Sequence, residues 1–144
     1  MGNYMKILWL EDEPETITVI KNKIRKYCSD IRVCQSFSSF SDDLEEFEDC
    51  EKNIIIIDIR MIFNREIEFS CFNKVVKITN ELDSGFEYFN HCLNKRFSKV
   101  KIIFFSSKPQ SEAMKDAKRH AIDTNRIISK EYTTELLNLI KEIK

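Results

Sequence analysis

The sequence predicts an α/β fold, in which helices cover both faces of one parallel sheet. The run Ile54–Ile57 places four β-branched residues in a row, which is typical of a strand buried on both faces. Strand-like apolar segments alternate along the chain with segments of helical periodicity. The 144 residues, 42% of them apolar, can form a sizeable core. We therefore expect a single domain that spans residues 1–144.

The first half of the chain predicts three strands and two helices. In order, they are a strand at 6–10, a helix from Pro14 to about Cys28, a strand at 31–34, an acidic helix over 42–50 and a strand at 53–58. Pro14 suits the first turn of a helix, where a missing backbone N–H costs nothing. Ser41 is the candidate N-cap of the acidic helix, because its hydroxyl can accept a hydrogen bond from the first turn.

The second half predicts two further sheet strands and three helices. They are a helix from Asp83 or Ser84 to about Phe97, a strand at 100–105, a helix from Pro109, a strand at 126–128 and a closing helix at 132–143. Five strands that alternate with helices favour a parallel sheet with right-handed crossovers.

The segment at about 61–82 interrupts this alternation and reads as an insertion. Connections of about twenty residues are uncommon inside a compact domain and are often functional or disordered. The segment contains several large apolar residues, which argue against disorder. Residues 65–72 and 74–79 alternate partly between apolar and polar, so they predict a small β-hairpin.

Composition limits the classes of function. A formal net charge of −1 argues against direct nucleic-acid binding through bulk electrostatics. Five cysteines without metal-binding spacing indicate reduced thiols and a cytoplasmic location. No apolar run approaches the roughly 18 residues of a membrane span. Residues 95–130 are mainly basic and 11–51 are rich in acid, a distribution that suits protein partners or solvated helix faces of opposite sign.

Polar side chains follow four of the predicted strands. Glu11 and Asp12 follow the first strand, Asp58 ends the third, Ser106 follows the fourth and Lys130 follows the fifth. The carboxyl ends of parallel strands meet at one edge of the sheet, where α/β proteins place their ligand sites. Taken singly, each residue could cap a helix or remain a solvated charge. Together they predict one site.

These residue types suit phosphoryl transfer. Clustered carboxylates repel one another unless a hard divalent cation such as Mg²⁺ joins them. A carboxylate can also attack phosphorus and form an aspartyl phosphate. A metal ion, an ammonium group and a hydroxyl around the transferred group stabilise its charge.

At these positions the chain resembles the receiver domains of bacterial two-component response regulators. The ordered set of strand-end residues carries the resemblance, together with the glycine-containing segment Asp83–Glu87. The resemblance implies a flavodoxin-like sheet with strand order 2-1-3-4-5. It also implies that Asp58 accepts a phosphoryl group from a sensor histidine kinase or a phosphotransfer protein.

The resemblance further implies a role for each site residue. Asp12 and Asp58 would bind Mg²⁺, Glu11 would bind it more indirectly through water, and the backbone carbonyl of Arg60 would complete the protein ligands. Ser106 would hydrogen-bond a phosphoryl oxygen, and Lys130 would pair with its charge. Lys108 and Arg60 flank the site, whereas His91 and His120 read as surface residues.

The expected function is a stand-alone receiver whose phosphorylation switches its binding to an output protein. The fourth helix, fifth strand and closing helix would form the output surface, which could also pair two copies of the chain. Such a protein catalyses only its own phosphorylation and dephosphorylation, so we do not expect an enzyme. The alternatives are a degenerate receiver acting as a constitutive scaffold and, ranked last, a metal-dependent phosphohydrolase.

Three residues depart from the family pattern. Ile62 stands where a proline usually follows the phosphorylation loop. Ile127 stands where the family usually has an aromatic switch residue, three positions before the lysine. Glu131 stands where a proline usually follows the lysine, and a cis peptide bond without proline costs about 3 kcal/mol. These departures concern the output mechanism more than the phosphorylation chemistry.

Overall fold

The computed structural model describes residues 4–61 and 67–143. Its strands are β1 (Lys6–Leu10), β2 (Asp30–Cys34), β3 (Ile54–Ile57), β4 (Ile67–Cys71), β5 (Lys74–Ile78), β6 (Lys101–Ser106) and β7 (Ile127–Ser129). Its α-helices are α1 (Thr18–Ile24), α2 (Phe37–Leu44), α3 (Ser84–Tyr88), α4 (Gln110–Arg119) and α5 (Thr133–Ile143). A 3₁₀ turn (Pro14–Ile17) precedes α1, a π-helical turn (Phe89–Leu93) continues α3, and a second 3₁₀ turn (Thr124–Arg126) precedes β7.

Five strands form the predicted parallel sheet. The order across the sheet is β2-β1-β3-β6-β7, with β6 and β7 as its fourth and fifth strands, so the predicted order 2-1-3-4-5 is confirmed. The central strand β3 is buried on both faces, as its four isoleucines predict. Ile54 and Ile56 face one core cluster, with α1 and α5, while Ile55 and Ile57 face the other, with α2, α3 and α4.

The hairpin predicted within the 61–82 segment is present. Strands β4 and β5 pair in antiparallel register and form a separate two-stranded sheet. Their two-residue turn, Phe72-Asn73, has φ values of 53° and 61°, the left-handed conformation of a tight hairpin turn. Residues 62–66 of the predicted insertion lie outside the described residues. That the segment is an insertion relative to receivers stays a prediction.

Contacts from two helices hold the strained turn. A phenylalanine with positive φ is unfavourable, so other interactions must offset its cost. The backbone N–H of Phe72 donates a 2.9 Å hydrogen bond to Glu45 Oε1, just after α2. The guanidinium of Arg96 lies 3.9 Å from the centre of the Phe72 ring, a cation–π contact. The turn is thereby fixed beside the ends of α2 and the π-helical turn.

The inner face of the hairpin enlarges the core. The Phe69 ring stacks on Phe37 and Tyr88 at centroid distances of 5.5 and 5.6 Å. The hydroxyl of Tyr88 lies 2.8 Å from Ser41 Oγ, which satisfies both buried polar groups. The hairpin therefore belongs to the hydrophobic core that covers α2 and α3.

Replacing Phe69 with alanine tests this packing. We expect Phe69→Ala to lower the free energy of unfolding by about 3 kcal/mol, because it removes a buried ring and leaves a cavity. The control is Val75→Ala on the outer face of the hairpin, where the side chain is 63% exposed; we expect a change below about 0.5 kcal/mol. Urea denaturation measures both. Equal effects would show that the hairpin does not support the core.

The predicted start of the second helix is wrong. The helix begins at Phe37, and the hydroxyl of Ser36, five residues before the predicted cap Ser41, accepts a hydrogen bond from Ser39 N–H. Ser41 is instead buried within the helix. The earlier start buries Phe37 and Phe40, which stabilises the helix more than the acidic residues after Ser41 can. None of the helices in residues 4–61 and 67–143 is long and apolar enough to cross a membrane.

Candidate functional site

The predicted carboxylates meet at the carboxyl edge of the sheet. Asp58 N–H donates a 3.0 Å hydrogen bond to Leu10 O, which extends the pairing of β1 and β3 and keeps their ends level. One carboxylate oxygen each from Glu11, Asp12 and Asp58 lies within 4.8 Å of the others. Glu11 and Asp58 are buried, and Asp12 is half-buried. Because the carboxyl ends of parallel strands meet at one edge, the sheet brings together three acids that lie up to 47 residues apart in the sequence.

The hydroxyl and the amine join the same cluster. Ser106 ends β6, and its buried hydroxyl is near enough to Asp58 to favour the ionised form of that carboxyl and lower its pKa. Lys130 follows β7 and donates its backbone N–H to Ser106 O at 2.7 Å. Its ammonium lies 2.8 Å from Glu11 Oε1 and 3.3 Å from Thr16 Oγ1. Lys130 thus spans the edge from β7 to the segment after β1.

Burial makes the ionised forms of these acids costly. It raises the pKa of Glu11 to about 8, with a further contribution from the charge of Asp58, while Lys130 opposes the rise. Burial also raises the pKa of Asp58, although Lys130, Glu11 and Ser106 each oppose it. With all three carboxylates ionised, one ammonium cannot neutralise the cluster, so the cluster favours a proton or a cation.

The donor set fits a hard divalent cation. Mg²⁺ prefers carboxylate oxygens, keeps several waters and is held by few protein groups. Glu11, Asp12 and Asp58 provide such oxygens, and a divalent ion would cancel the charge that remains after pairing with Lys130. The side chain of Arg60 is exposed. Its backbone carbonyl as a fourth ligand stays a prediction.

The raised pKa of Glu11 predicts that Mg²⁺ affinity depends on pH. Below pH 8, the metal ion must displace a proton from Glu11, so affinity should rise by up to about tenfold per pH unit and level off above that value. Fluorescence of Trp9, the single tryptophan, can follow the titration at several pH values. Glu11→Gln should flatten the dependence. Equal affinity at about pH 6.5 and 8.5 in the wild type would contradict this ionisation.

A close backbone contact supports the loop after β3. Gly85 N–H donates a 2.7 Å hydrogen bond to Ile59 O, and Met61 N–H donates one of 2.8 Å to Ser84 Oγ. A Cβ atom on Gly85 would lie 2.1 Å from Asp58 O, closer than any two such atoms can approach. The glycine predicted to open this helix is therefore required by the backbone of Asp58 itself.

One sequence expectation about a neighbouring residue is wrong, and a second residue has partners that the sequence did not indicate. His120, expected at the surface, hydrogen-bonds Asp83 at 3.0 Å, and its side chain is only 22% exposed. Lys108, expected to flank the site, pairs its ammonium with Asp83 and Asp116. These partners are far apart in the sequence, so spacing could not reveal them. One feature of the sequence did indicate a buried charge: Asp116 lies on the same inner face of α4 as Ala113 and Ala117.

The structure shows what occupies two of the positions at which the sequence departs from the family pattern. Ile127 is buried and pairs with Phe104 in the sheet, so an aliphatic side chain occupies the position of the usual aromatic. The described residues contain no cis peptide bond, and the bond before Glu131 is accordingly trans.

Comparison with solved structures identifies the fold. A response regulator receiver protein from Dyadobacter fermentans superposes with a TM-score of 0.62 at 17% identity, covering 96% of this chain and 97% of that one. A response regulator from Colwellia psychrerythraea gives 0.56 at 14%, covering 99% and 97%. The N-terminal domain of an uncharacterized protein from Wolinella succinogenes gives 0.62 at 15%, covering 96% and 93%.

Sequence comparison adds no closer relative, because no protein-family model matches the chain and a search of curated proteins returns no match. At these identities the structural likeness concerns the fold. The parallel sheet with its 2-1-3-4-5 order agrees with that likeness along nearly the whole chain. This chain therefore has the receiver fold of response regulators.

Proposed function

We propose that this protein is a receiver of two-component signal transduction. Asp58 accepts a phosphoryl group from the phosphohistidine of a sensor histidine kinase or a phosphotransfer protein, and phosphorylation changes binding to an output protein. The observation that supports this proposal is the convergence of three carboxylates, the Ser106 hydroxyl and the Lys130 ammonium at one edge of a receiver fold.

The transfer step follows from the chemistry of these groups. A carboxylate oxygen of Asp58 forms a bond to phosphorus while the bond from phosphorus to the donor's imidazole nitrogen breaks. The bonding electron pair leaves with the imidazole, which then takes up a proton. Ser106 donates its hydroxyl hydrogen to a phosphoryl oxygen. Lys130 exchanges its ion pair with Glu11 for one with the phosphoryl group.

The nucleophile must be ionised to react. Burial opposes ionisation of Asp58, and its interactions with Lys130 and Ser106 favour it. Glu11, Asp12 and Asp58 would hold Mg²⁺, which would supply positive charge that stabilises the ionised acids and the transferred group.

The proposed output is a change in protein binding. The surface formed by α4, β7 and α5 is where receivers usually contact their targets, and in this chain it includes part of the basic 95–130 stretch. Phosphorylation would shift an equilibrium between conformations of that surface, because the two conformations interact differently with the modified Asp58. This role implies a cytoplasmic protein that acts through protein partners without binding nucleic acid directly.

The test is phosphorylation with a small donor. The protein is incubated with acetyl phosphate, with and without Mg²⁺, and its intact mass is measured. We expect one phosphoryl group per chain, only with Mg²⁺, in a linkage that survives acid and is lost in base. If neither this adduct nor a complex with beryllofluoride and Mg²⁺ forms, the constitutive scaffold becomes the better explanation.

A further inference from the structure

A buried ion network lies near Ser106 and is centred on Lys108. Lys108 Nζ lies 3.0 Å from Asp83 Oδ1 and also pairs with Asp116; the three side chains are 11%, 7% and 6% exposed. His120 Nε2 lies 3.0 Å from the second oxygen of Asp83. Arg119, which is largely exposed, completes the network at Asp116. These side chains come from the start of α3, the loop after β6 and the C-terminal half of α4.

The members of this network depend on one another. Burial alone would raise the pKa of Asp83, but Lys108 and His120 hold it below its ordinary value. Burial likewise opposes the charged form of Lys108, yet Asp116 and Asp83 raise its pKa. Removal of one partner leaves a buried charge without compensation, which is strongly unfavourable. The network therefore has few low-energy arrangements, and Lys108 lies at its centre.

Two short backbone segments, residues 83–85 and 106–108, connect the ion network to the candidate site. Asp83 is adjacent to Ser84 and Gly85, whose hydrogen bonds hold the backbone immediately after Asp58. Lys108 lies two residues after Ser106, and its backbone N–H donates a 3.3 Å hydrogen bond to Ser106 Oγ. A displacement of either Ser106 or the Asp58 backbone must therefore reach Lys108 or Asp83.

The structure around α4 permits movement of one end. At its start, Gln110 donates its side-chain N–H to Ile127 O at 3.2 Å and accepts from Ser129 N–H at 2.9 Å, which fixes this end to β7. Towards its other end, the ion network ties Asp116 to Asp83 at the start of α3, and an Asn90 Nδ2–H hydrogen bond to His120 O at 3.0 Å adds a further contact. A cavity of about 590 Å³, lined by Leu82 and Glu112 among others, lies beside the network and leaves room for rearrangement.

We propose that the ion network of Asp83, Lys108 and Asp116 couples the state of Asp58 to the position of α4. It replaces the coupling through an aromatic residue, since Ile127 has no group that could pair with Ser106. When Ser106 turns towards a phosphoryl group, it releases the N–H of Lys108, the loop shifts, and the pairing of Lys108 with α3 and α4 changes. The coupling to phosphorylation rests on the function proposed above.

The test measures hydrogen exchange of the backbone amides of α4 with and without beryllofluoride and Mg²⁺. In the wild type, we expect binding at Asp58 to change exchange in the C-terminal half of α4 by about fivefold or more. In Lys108→Met, beryllofluoride should still bind, but the response in α4 should disappear. The matched control is Lys115→Met, which changes an exposed lysine within α4 and should keep the full response. A full response in Lys108→Met would overturn the coupling.

A second arm does not require phosphorylation chemistry. Without any phosphate analogue, Asp58→Asn should alter exchange in α4 in the wild-type background and leave it unaltered in the Lys108→Met background. No effect in either background would refute the coupling, whereas failure of the wild type to bind beryllofluoride would refute only the proposed function. If Lys108→Met does not fold, the double variant Lys108→Met/Asp116→Leu replaces the buried pair with apolar groups, which proteins often tolerate.

Discussion

Asp58→Asn is expected to abolish the Mg²⁺-dependent phosphoryl adduct. The asparagine amide has nearly the same shape as the carboxylate but is neutral and does not attack phosphorus. We expect adduct formation to fall at least about 100-fold, to the limit of detection by intact mass. Wild-type protein should carry the modification on the peptide that contains Asp58, which mass spectrometry of a digest can map.

The loss must not result from misfolding. The negative charge of Asp58 raises the pKa of Glu11, so its removal relieves repulsion in the metal-free protein. Asp58→Asn should therefore be at least as stable as the wild type at neutral pH, which thermal denaturation can check. Asp42→Asn makes the same chemical change at an exposed position of α2 and should be phosphorylated normally. An adduct retained in Asp58→Asn would mean that another group is the acceptor.

The sequence was most informative about the sheet. Buried β-branched strands and alternating helices specify a parallel order, and the carboxyl-edge rule then places Asp58 beside Glu11. This reasoning needs only local pattern and topology, and it located the acids, Ser106 and Lys130 correctly at one edge. Their individual roles in metal and phosphoryl binding remain predictions.

The sequence was least informative about features that depend on tertiary contacts. The start of α2 is set by the stacking of Phe37 with Phe69 on the hairpin, a contact that local capping preferences do not include. The pairing of Asp83 with Lys108 and His120 joins residues 25 and 37 positions apart. Such networks follow from the packing of α3 against α4, so a linear pattern of charges does not reveal them.

The hairpin and the site share one support. The carboxylate of Glu87 on α3 accepts hydrogen bonds from the N–H groups of Thr79 and Asn80, at 3.2 and 3.0 Å, directly after the hairpin. The start of the same helix holds the backbone after Asp58 through Ser84 and Gly85. The residues directly after the hairpin therefore brace the helix that positions the proposed phosphoacceptor.

Gly85→Ala should damage both stability and the site. The added Cβ would meet two backbone atoms, Asp58 O at 2.1 Å and Ile59 Cα at 2.9 Å, and a backbone cannot rotate away as a side chain can. We expect a loss of about 3 kcal/mol in the free energy of unfolding, at the upper end of overpacking effects. We also expect phosphorylation to slow about 100-fold, because a shift of about 1 Å misplaces the Asp58 carboxylate.

Two comparisons separate the clash from the lost hydrogen bonds. Ser84→Ala removes the acceptor for Met61 N–H without adding bulk, so it should cost only about 1 kcal/mol and leave phosphorylation largely intact. Gly2→Ala makes the same change at the other glycine of the chain and provides the baseline. Urea denaturation and intact mass measure both properties in each variant. Wild-type stability and phosphorylation in Gly85→Ala would show that the backbone of Asp58 does not depend on this contact, and α3 would then lose its role in positioning the acceptor.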